Sequence, residues 1–394
     1  MISFDIISLI VFVILLTILL YKNRKKAELQ KVIFPLLYLV LFRSKFGLKF
    51  INKVAEKYKE LIKFLGYCFI GISFAGLLFI SYSMIAIMVK FFLAPKVTET
   101  GMQVVLPGST ITGIGYLSFW HWLISLLILV VVHEFSHAVV AKAHGVNVKS
   151  SGTAVLGLIV PIFPAAFVEP DERQMKKQDD VVKHSVFSAG PIANLILALI
   201  FGLILFGIFA PISEKMHTND GIEIVSLNET GPAFNAGIRN NTVITKIDSR
   251  EINDVSDFVN VFDYCISPGQ TVVLSNSTQG FAVVPTEKQN SPGEAYIGVN
   301  LKTHQAVNED AKKYAGVFSW FQDLFMWLFL LNIFIGLANL LPIFITDGAQ
   351  MLQVLFLRVI TNKKTAMKAW TVVNALFLAL MIIGLLANYL KPLF

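Results

Sequence analysis

The chain has only two cysteines in 394 residues, Cys68 and Cys265. One lies in an apolar run and the other in a polar stretch, and no second cysteine sits at metal-ligand spacing from either. A disulfide framework and a cysteine-held metal are therefore excluded, and nothing follows about redox compartment. Charge is also scarce. Only 15% of residues are charged, whereas 55% are hydrophobic, and a soluble domain carries roughly a quarter charged. The apolar residues come in long blocks rather than in an amphipathic period, as a lipid solvent demands. An ordinary soluble domain is excluded, and a multi-span membrane protein in contact with the bilayer is expected. The formal charge of +7 sits beside the apolar runs, where the positive-inside rule places it. No nucleic-acid partner is implied.

The first apolar run covers residues 2–21 and ends in Lys22-Asn23-Arg24-Lys25-Lys26. Charges that follow the apolar core, with no small-residue cleavage site, indicate an anchor helix rather than a signal peptide. Its N-terminus is expected outside the cytoplasm. Residues 22–64 hold twelve Lys or Arg against three Glu, which marks a cytoplasmic segment. Within it, residues 32–42 are apolar but too short to span, so an interfacial or re-entrant helix is expected there. Further spans are expected at about residues 65–93, 116–143, 186–210, 316–341 and 370–390, with a loop over 94–115. Residues 153–168 are apolar, carry Pro161 and Pro164, and are too short for a clean crossing. A re-entrant hairpin or strand pair lining a cavity fits them better.

Residues 211–314 break the pattern. They carry eight Lys or Arg against thirteen Asp or Glu, in a chain otherwise strongly basic. That asymmetry predicts an extracytoplasmic insert. Three Asn-x-Ser/Thr sequences, at Asn228, Asn240 and Asn276, are compatible with such a location.

The sequence His133-Glu134-Phe135-Ser136-His137 lies inside an apolar helix. Four residues advance a helix by about 400°, so the two imidazoles project from nearly one face, one turn apart. Both can then reach a single Zn²⁺ at roughly 2.0–2.1 Å. Glu134 points about 100° round the helix, where it can act on a water without becoming a ligand. The alternative, an accidental polar patch, must explain ionisable groups inside a membrane span, where they are expensive. Catalytic zinc takes three protein ligands and leaves one position open. Asp347, in Asn339-Leu340-Leu341-Pro342…Asp347-Gly348, is the candidate third ligand, since it falls at the same depth as the histidines. Its alternative role is capping the helix that follows.

His-Glu-Phe-Ser-His together with Asn-Leu-Leu-Pro…Asp-Gly resembles the site-2 protease family of intramembrane zinc proteases, over residues 116–348. The resemblance implies a catalytic Glu134 and one zinc per chain held by His133, His137 and Asp347. It also implies hydrolysis of peptide bonds in or near the transmembrane segments of single-span membrane proteins, following a first cut outside. The family often has Asp-Gly-Gly where this chain has Asp347-Gly348-Ala349, a departure expected to affect packing rather than ligation. Ser188-Ala189-Gly190-Pro191-Ile192-Ala193-Asn194 resembles the family's Gly-Pro-x-x-Asn element. Asn194 is then a candidate for holding a substrate carbonyl or oxyanion, with an interhelical hydrogen bond as its alternative. Asn332 is a second candidate for that role. Residues 163–169 resemble the family's membrane-associated strand, with Phe163, Ala165 and Phe167 as substrate-strand candidates. In the insert, Gly231-Pro232-Ala233-Phe234-Asn235-Ala236-Gly237 resembles the helix of protease-associated PDZ domains. That implies a site for a peptide C-terminus, or a filter over the outer mouth, although Asn241-Thr242 replaces the usual Gly-Asp.

The expected fold is thus an α-helical polytopic membrane protein with about six transmembrane helices, a re-entrant or β-hairpin segment, and a small α+β PDZ-like extracytoplasmic domain. The expected divisions are residues 1–115, with two spans and an interfacial segment, a catalytic core over 116–210 and 315–394, and the insert over 211–314. The active site should face the cytoplasmic side. Two other classes share part of this signature. One is the membrane zinc proteases that process prenylated peptides, which use a downstream Glu ligand. The other is an inactive membrane adaptor with a structural metal and a PDZ module.

Overall fold

The computed structural model describes residues 4–33, 37–45, 47–94, 102–111, 114–158, 160–276, 278–288 and 291–390. It divides into two compact units, Met1–Leu205 with Gln322–Phe394, and Phe206–Phe321. Among the described residues, six helices are long and apolar enough to cross a membrane.

In the first unit, α1 (Phe4–Lys22) buries none of its residues. It is tied down at its start by Asp5, whose carboxylate accepts the Tyr116 hydroxyl proton and the Phe119 N–H at 2.8 Å. Phe119 opens α4 (Phe119–Ala143), so Asp5 satisfies one of the donors a helix start leaves without an internal partner. Leu117, Phe119, Trp122 and Leu129 form a core with Trp327 and Leu331 of α10 (Lys312–Ala338). The second long helix, α3 (Lys59–Leu93), packs on α4 and on α6 (Asp180–Ile204), which in turn packs on α4. The last, α12 (Lys363–Leu390), packs on α3 and α11 (Asp347–Val359).

Residues 32–33 and 37–42 do not form the interfacial or re-entrant helix expected of them. Strands β1 (Glu28–Ile33) and β2 (Leu37–Ser44) join β5 (Val148–Leu158) and β6 (Val160–Pro170) in one antiparallel sheet of order β1-β2-β5-β6. Residues 34–36 and 159 lie outside the described residues, as do residues 2–3 of the first apolar run and residues 95–101 and 112–113 of the expected loop. The reason for the difference is long-range. Strand β2 pairs with β5 in unbroken register from Leu37↔Leu158 to Ser44↔Ser151. Backbone groups that a lone helix would have satisfied internally are satisfied by a partner more than a hundred residues away. The expected pair over 153–168 is present as β5 and β6, and a short hairpin, β3 (Ser109–Ile111) with β4 (Gly115–Leu117), occupies part of the expected loop. Amphipathic α2 (Leu48–Lys57) buries Ile51 and Ala55, leaves Lys49, Lys53 and Lys57 exposed, and stacks Phe50 on Phe135 of α4 at 5.5 Å. A single helical turn and a half, α5 (Glu172–Lys177), follows β6 and is capped by Asp171.

In the second unit, a π-turn at Leu205–Phe209 and α7 (Ala210–Met216) lead into a small α+β body. Strand β15 (Val299–Val307) pairs with β7 (His217–Leu227), which pairs with β8 (Val243–Ile244). A second sheet runs β10 (Arg250–Glu251), β9 (Lys246–Ile247), β11 (Val272–Ser275), β12 (Gly280–Val283), beside a separate pair β13 (Thr286–Lys288) and β14 (Ser291–Tyr296). Helices α8 (Pro232–Asn235) and α9 (Val255–Cys265) complete it. Ile222, Ile224, Ile238, Ile244, Phe258 and Phe262 belong to a core made wholly of residues within the unit.

Candidate metal centre and cavity

His133 and His137 project from one face of α4 and are each 8% exposed. Their Nε2 atoms stand 3.1 Å apart. Asp347 Oδ2 lies 3.1 Å from His133 Nε2, and Oδ1 lies 3.3 Å from His137 Nε2. The three ligand atoms all fall within 4.8 Å of one another.

The donor set fits a divalent metal. His137 Nδ1 lies 2.7 Å from the Val186 carbonyl on α6. A carbonyl only accepts, so the His137 proton sits on Nδ1 and the neutral ring turns a bare Nε2 lone pair inward. That lone pair faces the Asp347 carboxylate and the Nε2 atom of the second imidazole, three groups able to ligate one cation. Two imidazoles and one carboxylate form a known set for zinc with an open position. The helix beneath them has room for no side chain at Gly190. A Cβ there would lie 2.4 Å from His137 Nε2 and 2.6 Å from His133 Nε2.

Asp347 is the first residue of α11, but it is not the cap. Thr346 holds that position, and its Oγ1 accepts the Ala349 N–H at 3.3 Å. The carboxylate of Asp347 is thereby left to face the histidines. Its place is fixed by a tight turn in which the Gly348 N–H donates to the Asn339 carbonyl at 2.9 Å. A Cβ on Gly348 would come within 2.1 Å of the Leu340 carbonyl oxygen. Ala349, where the family often has a second glycine, is fully buried, and its carbonyl accepts the Trp370 indole N–H at 2.8 Å.

Glu134 Oε2 accepts the Val168 N–H at 3.1 Å. Strand β6 is an edge strand, and this bond shows that Val168 turns its backbone away from β5. Register is continuous from Phe163↔Leu156 to Glu169↔Ser150. Ala166 and Pro164 therefore turn their backbones outward too. Proline suits such a position, because the N–H it lacks is not needed by the ladder. At the strand's far end, the Ser150 hydroxyl, and with it the Arg43 guanidinium, outweighs burial and holds the Glu169 carboxyl below its ordinary range. Arg43 also pairs with Glu28, tying β1, β2 and β6 together at that end.

A cavity of about 1000 Å³ opens over these groups, lined by His133, Glu134, His137, Asp347, Asn339 and Ala166 among others. Ala165 and Val168 also line it. Phe163 instead packs edge-on against Trp122 at 5.8 Å, and Phe167 stands opposite Gly152 of β5. Asn332 is fully buried and bonds the Leu328 carbonyl of its own helix at 2.7 Å. Asn194 is fully buried beside His133 Nδ1, at 3.3 Å. Alongside Gln350 and Gln353, Asn339 is the asparagine that lines the cavity. Its place in the motif with Asp347 was the signal in the sequence for it.

A polytopic helical protein able to hold one metal on two histidines and an aspartate, with a glutamate on the same helix, is a membrane metallopeptidase in outline. The family model of peptidase family M50 matches residues 121–384, and the chain belongs to that family. The family consists of membrane-bound zinc metalloproteases, so this is an integral membrane protein of a zinc-metalloprotease family. The chain is also 28% identical, over 348 residues, to an uncharacterised protein of Methanocaldococcus jannaschii, an alignment covering 86% of this chain and 83% of the relative.

Proposed function

We propose that this chain hydrolyses peptide bonds in or near the transmembrane segments of single-span membrane proteins, as the second cut of a regulated pair. The observation that carries the reading is the convergence of His133, His137 and Asp347 beside Glu134, which is itself bonded to the free edge of a strand. Zinc bound to those three side chains would acidify a water and polarise the scissile carbonyl. Glu134 takes the proton from that water on its carboxylate and delivers it to the leaving amine nitrogen. The bond from Val168 fixes the rotation of the carboxylate, leaving Oε1 for this work. Asn339 offers an amide N–H to the substrate carbonyl from the cavity wall.

A helical substrate hides its carbonyls in its own hydrogen bonds and must unwind before attack. The outward backbone groups of Ala166 and Pro164 offer the unwound segment an antiparallel partner, with Phe163, Ala165 and Phe167 shaping that strand. On this reading the metal site faces the cytoplasm and the insert lies outside, which the positions of the basic clusters in the sequence support. The insert is PDZ-like on this reading. Edge strand β15, entered through Gly298 at φ 77°, runs beside α9, a layout suited to a chain end added as a further strand.

The test is zinc quantification joined to cleavage of a panel of single-span proteins and prenylated peptides by the full chain. Glu134→Gln should keep one zinc and lose cleavage, and Asp347→Ala should lose both. Absence of cleavage by wild type, with zinc bound and cellular function kept by Glu134→Gln, would point to an adaptor. Activity confined to prenylated peptides would point to the other protease class.

A further inference from the structure

Helix α6 carries more than the glycine that lets it approach the metal site. It presents one hydrogen-bonding group to the outer nitrogen of each histidine, the Val186 carbonyl to His137 Nδ1 at 2.7 Å and the Asn194 amide to His133 Nδ1 at 3.3 Å. The two groups are eight residues apart on one helix, with Gly190 midway. Asn194 is fully buried and lies on the side of the His133 ring opposite Asp347, which faces Nε2. It is not among the residues that line the cavity.

The amide's orientation matters. Its Nδ2 faces His133 Nδ1, and its Oδ1 is buried with no hydrogen-bond partner. A donor at Nδ1 suits the tautomer with its proton on Nε2, where Asp347 accepts it at 3.1 Å. That tautomer has no lone pair to give a metal at Nε2. Ligation requires the proton on Nδ1, and then Nδ1 needs an acceptor. Among the described residues, Asn194 Oδ1 can supply it, reached by a half-turn of the same amide. A buried, unpartnered oxygen beside the atom that must become a donor is otherwise costly.

We infer that Asn194 is the positioning residue of His133, taking its Nδ1–H in the metal-binding tautomer as the Val186 carbonyl does for His137. Unlike the carbonyl, the amide can serve either tautomer, so His133 is the histidine whose proton can change places when metal enters. The inference rests on the metal reading proposed above, and wild-type zinc binding tests that reading separately.

The experiment is a zinc titration of the full chain, in detergent or bilayer discs, for wild type, Asn194→Leu and Asn194→Asp, with Co²⁺ absorption as a second readout. Loss of an outer hydrogen bond to a ligating histidine weakens binding by roughly 10–100-fold. Asn194→Leu should show that loss. Asn194→Asp, which can only accept, should bind zinc at least as tightly as wild type and keep the four-coordinate Co²⁺ spectrum. Wild-type zinc affinity in Asn194→Leu with cleavage abolished would overturn the inference and return Asn194 to the substrate side. Should Asn194→Leu fail to fold, Asn194→Asp decides alone, since weakened zinc binding there would mean that Asn194 must donate. Absence of zinc binding in wild type would instead defeat the metal reading itself.

Discussion

Glu134 and Val168 are joined by a hydrogen bond of 3.1 Å, carboxylate to backbone N–H, across the gap between α4 and the free edge of β6. The residue proposed to move protons is thus fastened to the strand proposed to receive substrate. A peptide paired along β6 would pass directly beside the carboxylate. Binding and chemistry then share one edge.

Ala166 is the place to test that edge, because its N–H points outward and no ladder bond within the sheet needs it. Ala166→Pro should leave β5 and β6 paired and remove one bond to substrate, worth about 1 kcal/mol or roughly fivefold. Cleavage of a helical transmembrane substrate should fall by more than cleavage of a pre-extended peptide, as measured by initial rates on both. Equal losses would count against strand addition.

Gly190→Ala should raise the intrinsic helix propensity of α6 by about 1 kcal/mol and yet damage the site. The new methyl would press on both Nε2 atoms, at 2.4 and 2.6 Å. Zinc affinity should drop at least tenfold with the helical circular dichroism unchanged. A variant that binds zinc normally would mean that α6 can back away at no cost to the site.

Thr346 is predicted to matter to stability, and Asp347 to metal. Thr346→Ala removes the cap of α11 and should cost about 1 kcal/mol, with Thr346→Ser close to wild type. Asp347→Asn should leave the unfolding midpoint little changed while abolishing zinc retention. Denaturant unfolding and metal analysis on the same samples separate the two roles.

Phe258 and Phe262 stack at 5.2 Å in the core of the second unit. Phe262→Ala should destabilise that unit by about 3–5 kcal/mol. Since that core contains no residue of the first unit, the full chain should still retain its zinc. Proteolysis confined to residues 206–321, with metal content intact, is the expected result.

The metal site could be read from the sequence to the extent that it depends on local geometry. His133, Glu134 and His137 are one helical turn, and the apolar run around them declares the helix. Asp347 came from a motif, and its competing role as a cap could not be decided until Thr346 was seen to hold that position. The strands at residues 28–44 were hidden because their partner is β5, far along the chain, and an apolar stretch too short to span looks alike as helix or strand. Asn194, Asn332 and Asn339 could not be ranked from sequence. An amide's role depends on which side of its helix meets the cavity, and only the packed helices decide that.

The pairing of β2 with β5 sets a lower limit on how short a working fragment can be. The match to the family begins at residue 121, which invites trimming everything before it. Such a fragment would strip β5 of eight consecutive partners, from Leu37↔Leu158 to Ser44↔Ser151. Its sheet margin would then move from β1 to β5, a strand of the sheet interior, and that new margin would invite self-association. Residues 37–44 are therefore part of the architecture of the unit that carries His133, His137 and Asp347.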